Sequence, residues 1–210
     1  RAEHVEHPDE LRIDLDPTPE ATWEEVQTVA LAVREVLEEH RLVGWPKTSG
    51  SKGMHVYVRI EPVWSFFDTR RAALALGREL ERRMPELVTT AWWKEERHGV
   101  FVDYNQNARD RTVASAYSVR PTGFVSAPLT WREVPDAEIP DFPMDGFAER
   151  YQRMGDLAEG IDEAAGGLGG LLELARRDEE NGLGDAPGPP HFSRQSGEPP
   201  RVPPSQRRGQ

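Results

Sequence analysis

Asp14 and Asp16, two residues apart in "LRIDLDP", are the first side chains of this chain whose type and spacing could do chemistry. On a strand, residues i and i+2 project from the same face, so the two carboxylates come close together. Two such anions repel unless a cation lies between them, and hard oxygen ligands suit Mg2+ or Mn2+. A lone D-x-D is met equally well as two solvent-facing aspartates on an edge strand. A third carboxylate, Asp103, ends the apolar run "GVFVD". If that strand lies beside the first, three carboxylates converge on one face, the arrangement of a two-metal phosphoryl-transfer site.

A second stretch, "KTSGSKG" at residues 47–53, crowds turn-forming and polar residues into one bend directly ahead of "MHVYVRI". Backbone N–H groups in such a bend can converge on an anion. Ser49, Ser51 and Lys52 add donors, and Gly50 and Gly53 permit close approach of the backbone. The spacing is not that of a Walker A loop, and a strand rather than a helix follows. The same residues also suit an ordinary polar hairpin turn. His55 shares a strand face with Tyr57 and Arg59. A solitary histidine is commonly structural, but beside a phosphate-binding bend it can donate to a phosphate oxygen. Downstream of Asp103 come Asn105, Gln106, Arg109, Arg111 and Arg120. Arginine's planar fork matches phosphate oxygens, so one of these arginines is expected to clamp a triphosphate while the other two remain solvated.

The elements that must position these residues follow from periodicity. "LRIDLDP" alternates, with Leu11, Ile13 and Leu15 opposite Arg12, Asp14 and Asp16. "TWEEVQTVALAVREVLEEH" opens with Thr22 and Glu25 at capping-box spacing and carries Val26, Val29, Ala30, Val33 and Leu37 at helical intervals. "LVGWPK" is a short strand candidate broken by Pro46, and "MHVYVRI" alternates again. Asp68 or Thr69 is expected to cap a second helix that ends before Pro85, and short strands are expected at "LVTTAW" and "GVFVDY". Strand, helix, strand, strand, helix, strand is the α+β, split βαβ order of ferredoxin-like and RNA-recognition-motif-like folds. In these an antiparallel sheet carries helices on one face and leaves the other available. "YNQNARDRT" then reads as a polar loop, and "AYSVRPTGFVSAPLTWREV" as extended chain and turns leading to a short helix. Residues 145–180 read as a peripheral acidic helical region interrupted at "AAGGLGG". Residues 182–210, dense in Pro and Gly, read as an extended or disordered tail.

Composition narrows the setting. A chain of 210 residues suits one substantial domain with trailing segments. The absence of cysteine excludes disulfides and thiolate chemistry and fits a reducing compartment, with the cytoplasm expected. No apolar run is long enough to span a membrane, and no secretory signal opens the chain. A net charge of -11 argues against a surface that binds polyanions throughout. Between residues 41 and 132, however, 15 Lys or Arg stand against 9 Asp or Glu, which leaves room for a local phosphate site. The chain opens at Arg1 with a strand expected only ten residues on, so its N-terminus is expected to be processed, cropped or incomplete.

Five stretches in order, "ELRIDLDP", "KTSGSKGMHVYVRI", "TTAWWKEER", "VFVDYNQNARDRTVASAYSVRPTG" and "VSAPLTWREV", resemble the polymerase/primase domain of bacterial ligase D and its stand-alone relatives, within the archaeo-eukaryotic primase superfamily. The resemblance runs from about residue 8 to about residue 180, and "GLGDAPGPP" with "EPPRVPPS" is similar to the extension of stand-alone members. It implies a primase-polymerase catalytic domain over residues 1–181, with catalytic, metal-binding Asp14, Asp16 and Asp103. The nucleotide's phosphates would meet Ser49, Lys52, His55, Gln106 and Arg120. The implied activity is template-directed nucleotide addition, ribonucleotides preferred, with two Mn2+ or Mg2+ ions, in gap filling and DNA end joining. The implied partners are nucleoside triphosphate, DNA template-primer or DNA ends, Ku and an ATP-dependent DNA ligase. Family members carry a long basic region before the D-x-D strand that grips a DNA end, whereas only thirteen residues precede Asp14 here. That departure keeps an alternative in view, a catalytically silent module that binds nucleotide or a repair partner. A metal-dependent phosphohydrolase ranks below both, because no device for positioning an attacking water is evident.

Overall fold

In the computed structural model, which describes residues 5–189, the alternation of "LRIDLDP" becomes β1 (Glu10–Pro17). Leu11, Ile13 and Leu15 are fully buried against the helices, and Asp14 and Asp16 turn to the opposite face. Helix α1 (Trp23–Glu39) starts with the expected capping box, in which Thr22 accepts from the Glu25 N–H and the Glu25 carboxylate accepts from the Thr22 N–H. Next come β2 (Gly44–Thr48), β3 (Met54–Arg59), α2 (Phe66–Arg83), β4 (Val88–Thr89) and β5 (Val100–Val102). The sheet order is β2-β3-β1-β5-β4, antiparallel except for the β4–β5 pair. This is the split βαβ arrangement with one short parallel strand added at the edge. Val29, Val33 and Leu37 of α1 and Ala73, Leu76 and Leu80 of α2 close the core over one sheet face.

Three expectations need correction. Pro46 does not break β2 but lies inside it, because β2 is the sheet's edge strand and a residue without an N–H can be accommodated there. The cap of α2 is Ser65, whose hydroxyl accepts from the Asp68 N–H; Asp68 is the reciprocal partner at the third helical position, and Thr69 lies inside the helix. "LVTTAW" pairs over only two residues. Around "TWREV" the chain forms the expected turns, pinned by Trp131 Nε1–H donating to the Gly44 carbonyl.

The second sheet face is also less open than expected. Residues 112–130 fold over its β2–β3 half, where the Tyr57 hydroxyl donates to the Ala114 carbonyl and the Thr48 N–H donates to the Ala127 carbonyl. The β1–β5 half remains a cleft. Beyond it, α3 (Phe147–Met154) and α4 (Gly169–Glu180) form the acidic region, with α4 packing Leu171 and Leu174 into the core beside α2. Residues 183–189 run in extended form along α2, held by Arg70, which is bonded to Asp185, the Ala186 carbonyl and Asn105. The rest of the expected tail, 190–210, lies outside the described residues. Among the described residues no helix is long and apolar enough to cross a membrane.

Candidate active site

Strand register assembles the site. Asp14 of β1 lies opposite His55 of β3, and His55 lies opposite Lys47 of β2, so the three side chains form one row across the sheet. Asp16 lies opposite Phe101, and the Asp103 N–H donates to the Asp14 carbonyl at 2.9 Å, which brings the end of β5 beside the aspartate pair. As a result Asp14, Asp16 and Asp103 each offer a carboxylate oxygen, and these atoms lie within 4.8 Å of one another. Asp14 is buried at the base, Asp103 is half-buried, and Asp16 stands exposed at the mouth. Asp103 caps a 3-10 turn over Tyr104–Asn107, accepting from the Asn105 N–H at 3.0 Å and from Gln106 Nε2 at 3.3 Å.

The electrostatics match three anions gathered out of water, whose mutual repulsion nearby cations only partly offset. Burial holds the Asp14 carboxyl well above its usual range, and the neighbouring Asp16 and Asp103 add to this, while Lys47 opposes them. Asp16 is raised by desolvation and by Asp103, and Asp103 by burial. Asp14 Oδ1 is buried and has no hydrogen-bond partner. A buried orphan oxygen among three hard anionic ligands fits a divalent cation.

The bend before β3 faces this cluster. Ser49 Oγ accepts from the Ser51 N–H at 3.2 Å and the Gly53 N–H at 3.0 Å, which folds the loop around its own hydroxyl. Gly50 adopts φ +68, where a side chain is strained, and the Thr122 hydroxyl donates to its carbonyl at 2.6 Å. Gly53 packs directly on β1: a Cβ there would lie 2.2 Å from the Leu15 carbonyl oxygen. Asp14, Asp16, Ser49, Lys52, His55, Gln106 and Arg120 all line one cleft of about 830 Å3. Asp103 stands at its edge, so the structure brings together all eight residues singled out in the sequence. Arg109 turns away to pair with Glu6. Arg120 Nε and Gln106 Oε1 are buried without partners at the cleft.

Two charged residues of the site escaped sequence reasoning. Arg97 stacks on the Phe101 ring, 3.4 Å from its centroid, donates to the Ala91 and Trp92 carbonyls, and places its charge near Asp103 and Asp16. Lys47 is almost fully buried; burial lowers it to about 7, against the pull of Asp14 and Glu10. Burial, with the charges of Lys47 and Arg120, lowers His55 to about 3, so its ring is neutral. Lys47 opens the quoted bend, but only the β2–β3 register shows that it shares a face with His55.

Comparison with known proteins fits this geometry. The family model described as LigD, primase-polymerase domain, matches residues 1–158. The multifunctional non-homologous end joining DNA repair protein LigD of Mycobacterium tuberculosis (strain ATCC 25618 / H37Rv) is 39% identical over 160 residues, 74% of this chain and 21% of that protein. The bifunctional non-homologous end joining protein LigD of Bacillus subtilis (strain 168) is 31% identical over 153 residues, 70% of this chain and 25% of that protein. The chain thus spans about a fifth to a quarter of the length of these relatives. A solved polymerase domain of Mycobacterium tuberculosis ligase D, in complex with DNA, superposes with a TM-score of 0.69 at 38% identity. The match covers 76% of this chain and 57% of that one.

Proposed function

The chain belongs to the LigD primase-polymerase domain family, and from that premise we propose that it catalyses template-directed nucleotidyl transfer in the repair of DNA ends. The observation that carries this reading is the carboxylate trio, with oxygens within 4.8 Å, set across one cleft from the Ser49–Gly53 bend and Arg120. Residues 1–181 would form the catalytic domain, and its substrates would be a nucleoside triphosphate, ribonucleotides preferred, and a DNA template-primer or DNA end.

In this reaction the 3′-hydroxyl oxygen of a primer forms a bond to the α-phosphorus, the bond from that phosphorus to the bridging oxygen breaks, and pyrophosphate leaves. Asp14, Asp16 and Asp103 would hold two Mn2+ or Mg2+ ions, whose chemistry is to favour the deprotonated hydroxyl and neutralise phosphate charge. The chain's own donors do the rest. Lys52 and Arg120 offset charge on the phosphates, and Ser49, whose oxygen is occupied by two loop N–H groups, keeps its own proton to donate. His55 presents a neutral ring, and Gln106 links the Asp103 carboxylate to the cleft. Arg97 places a positive charge beside Asp16 and Asp103, where negative charge develops.

The partners proposed with this reading are Ku and an ATP-dependent DNA ligase, and the location proposed is the cytoplasm. A silent nucleotide-binding module finds less support, because all three carboxylates are within ligand distance. Primer extension on gapped DNA with Mn2+ and ribonucleotides tests the proposal. Template-dependent addition that Asp14→Ala abolishes is the expected result; addition unaffected by that substitution would overturn it. Binding of nucleotide without any addition would favour the silent module.

A further inference from the structure

Lys47 lies in a strand, 2% exposed, yet its contacts are a hydroxyl, an imidazole and an aromatic face rather than a carboxylate at contact distance. Burying an amine in this way is costly unless its hydrogen bonds are used. Those bonds can be assigned one by one. The Ser126 hydroxyl donates to the Thr48 carbonyl at 2.8 Å, so towards Lys47 Nζ, at 2.6 Å, it can only accept. A second Nζ proton points to His55 Nδ1 at 2.7 Å, and the third faces the Tyr57 ring, whose centroid is 4.9 Å away. Tyr57 is itself anchored to the Ala114 carbonyl and stacks on His55 with an interplanar angle of 12°.

A neutral imidazole has one donor and one acceptor nitrogen. With Nδ1 accepting from Lys47, the proton must sit on Nε2. That nitrogen lies 3.3 Å from Asp14 Oδ1, yet the oxygen has no hydrogen-bond partner, so the Nε2–H is not aligned with the carboxylate and is left to the cleft that His55 lines. We propose that Lys47 is a positioning residue: it holds His55 as the Nε2–H tautomer and so presents a donor to a phosphate oxygen of the nucleotide. The arrangement persists if Lys47 sheds a proton, since a neutral amine keeps two N–H donors, one each for Ser126 and His55. The identity of the phosphate rests on the function proposed above; the tautomer does not.

The two parts are therefore read separately. Long-range 1H–15N correlation spectra of the ligand-free protein at neutral pH, with His55→Gln used to assign the ring, report which nitrogen carries the proton. The expected result is Nε2–H in the wild type and in Ser126→Ala, with a shift towards the Nδ1–H tautomer in Lys47→Met. An Nδ1–H ring in the wild type overturns the proposal even if Lys47→Met does not fold, and an unchanged tautomer in a folded Lys47→Met does so as well. In primer extension, Lys47→Met should raise the KM for nucleotide about tenfold, the order expected for one hydrogen bond to a charged group. It should cost nothing further in a His55→Gln background, and additive losses would overturn the coupling. If the wild type binds no nucleotide, the functional reading fails while the tautomer result still stands.

Discussion

Gly50→Ala separates backbone strain from the grip on phosphate, because Gly123 provides a matched control. Both glycines have positive φ, +68 and +83, so alanine at either costs about 1–2 kcal/mol of backbone energy. For a chain of this size, that lowers Tm by roughly 2–8 °C. The surroundings differ. A Cβ on Gly123 meets nothing within 4 Å, whereas on Gly50 it would lie 2.6 Å from Arg120 Cγ and 3.1 Å from the Ser126 nitrogen. Restoring an ordinary contact of 3.4 Å moves the Arg120 stem by about 0.8 Å. The Arg120 stem and the Val125–Ser126 backbone must both give way, which adds to the cost of folding, and the guanidinium leaves the position from which Nε can serve a phosphate. Losing one charge-assisted hydrogen bond costs about 1.5–3 kcal/mol, roughly 10- to 100-fold in affinity. Calorimetric titration with nucleoside triphosphate and Mn2+ should show this loss for Gly50→Ala and at most a twofold change for Gly123→Ala, with the lower Tm in Gly50→Ala. Equal affinities would refute the assignment of Arg120 to the phosphates.

Three further outcomes are expected. Burial and its acidic neighbours raise the Asp14 carboxyl above its unfolded value of 3.8, so the native state binds the proton more tightly than the unfolded chain does. The contribution of this group to the metal-free protein's stability therefore falls as pH rises from 3.8 through the raised value; Asp14→Asn should melt higher than wild type in EDTA at pH 7.5, by a margin that narrows towards acid, and should lose the Mn2+-induced rise in Tm. A wild type that melts as high in EDTA would contradict this. Arg70→Met leaves the Asp185 carboxylate without its cation and Asn105 Oδ1 without its donor, and should cost about 3–5 kcal/mol. That is roughly 6–20 °C in Tm, with protease cleavage appearing near residues 183–187, and an unchanged digestion pattern would count against the docking of that segment. Gly53→Ala would force β3 away from the Leu15 carbonyl, between Asp14 and Asp16, and should destabilise by about 1–3 kcal/mol while weakening Mn2+ binding; full Mn2+ affinity in calorimetry would refute the close approach.

The readable parts of the fold are those whose signals are local. Val26, Val29, Val33 and Leu37 recur at helical spacing because one face of α1 must be apolar, and Thr22 with Glu25 marks its start within four residues. The reading failed where distant partners decide. Pro46 is tolerated because β2 happens to be an edge strand, and "LVTTAW" pairs over only two residues because β5 offers it only a short parallel partner. Ser65 caps α2 instead of Asp68 because the two residues exchange reciprocal bonds, and composition alone does not say which is the cap.

The candidate site divides along the same line. Alternation and turn chemistry act between near neighbours, so residue order is enough to put Asp14 and Asp16 on one face, a polar bend ahead of β3 and Asp103 at the end of a strand; the bend itself is 49–53, because Lys47 and Thr48 belong to β2. Long-range packing lays β5 against β1, so that Asp103 completes the trio, and aligns Lys47, His55 and Asp14 of β2, β3 and β1 in one row. It also brings residues 112–130 over half of the sheet, where they bury Lys47. Register between strands dozens of residues apart leaves no local signal, because it is set by the burial of whole faces against one another, and that sum exists only once the chain has folded.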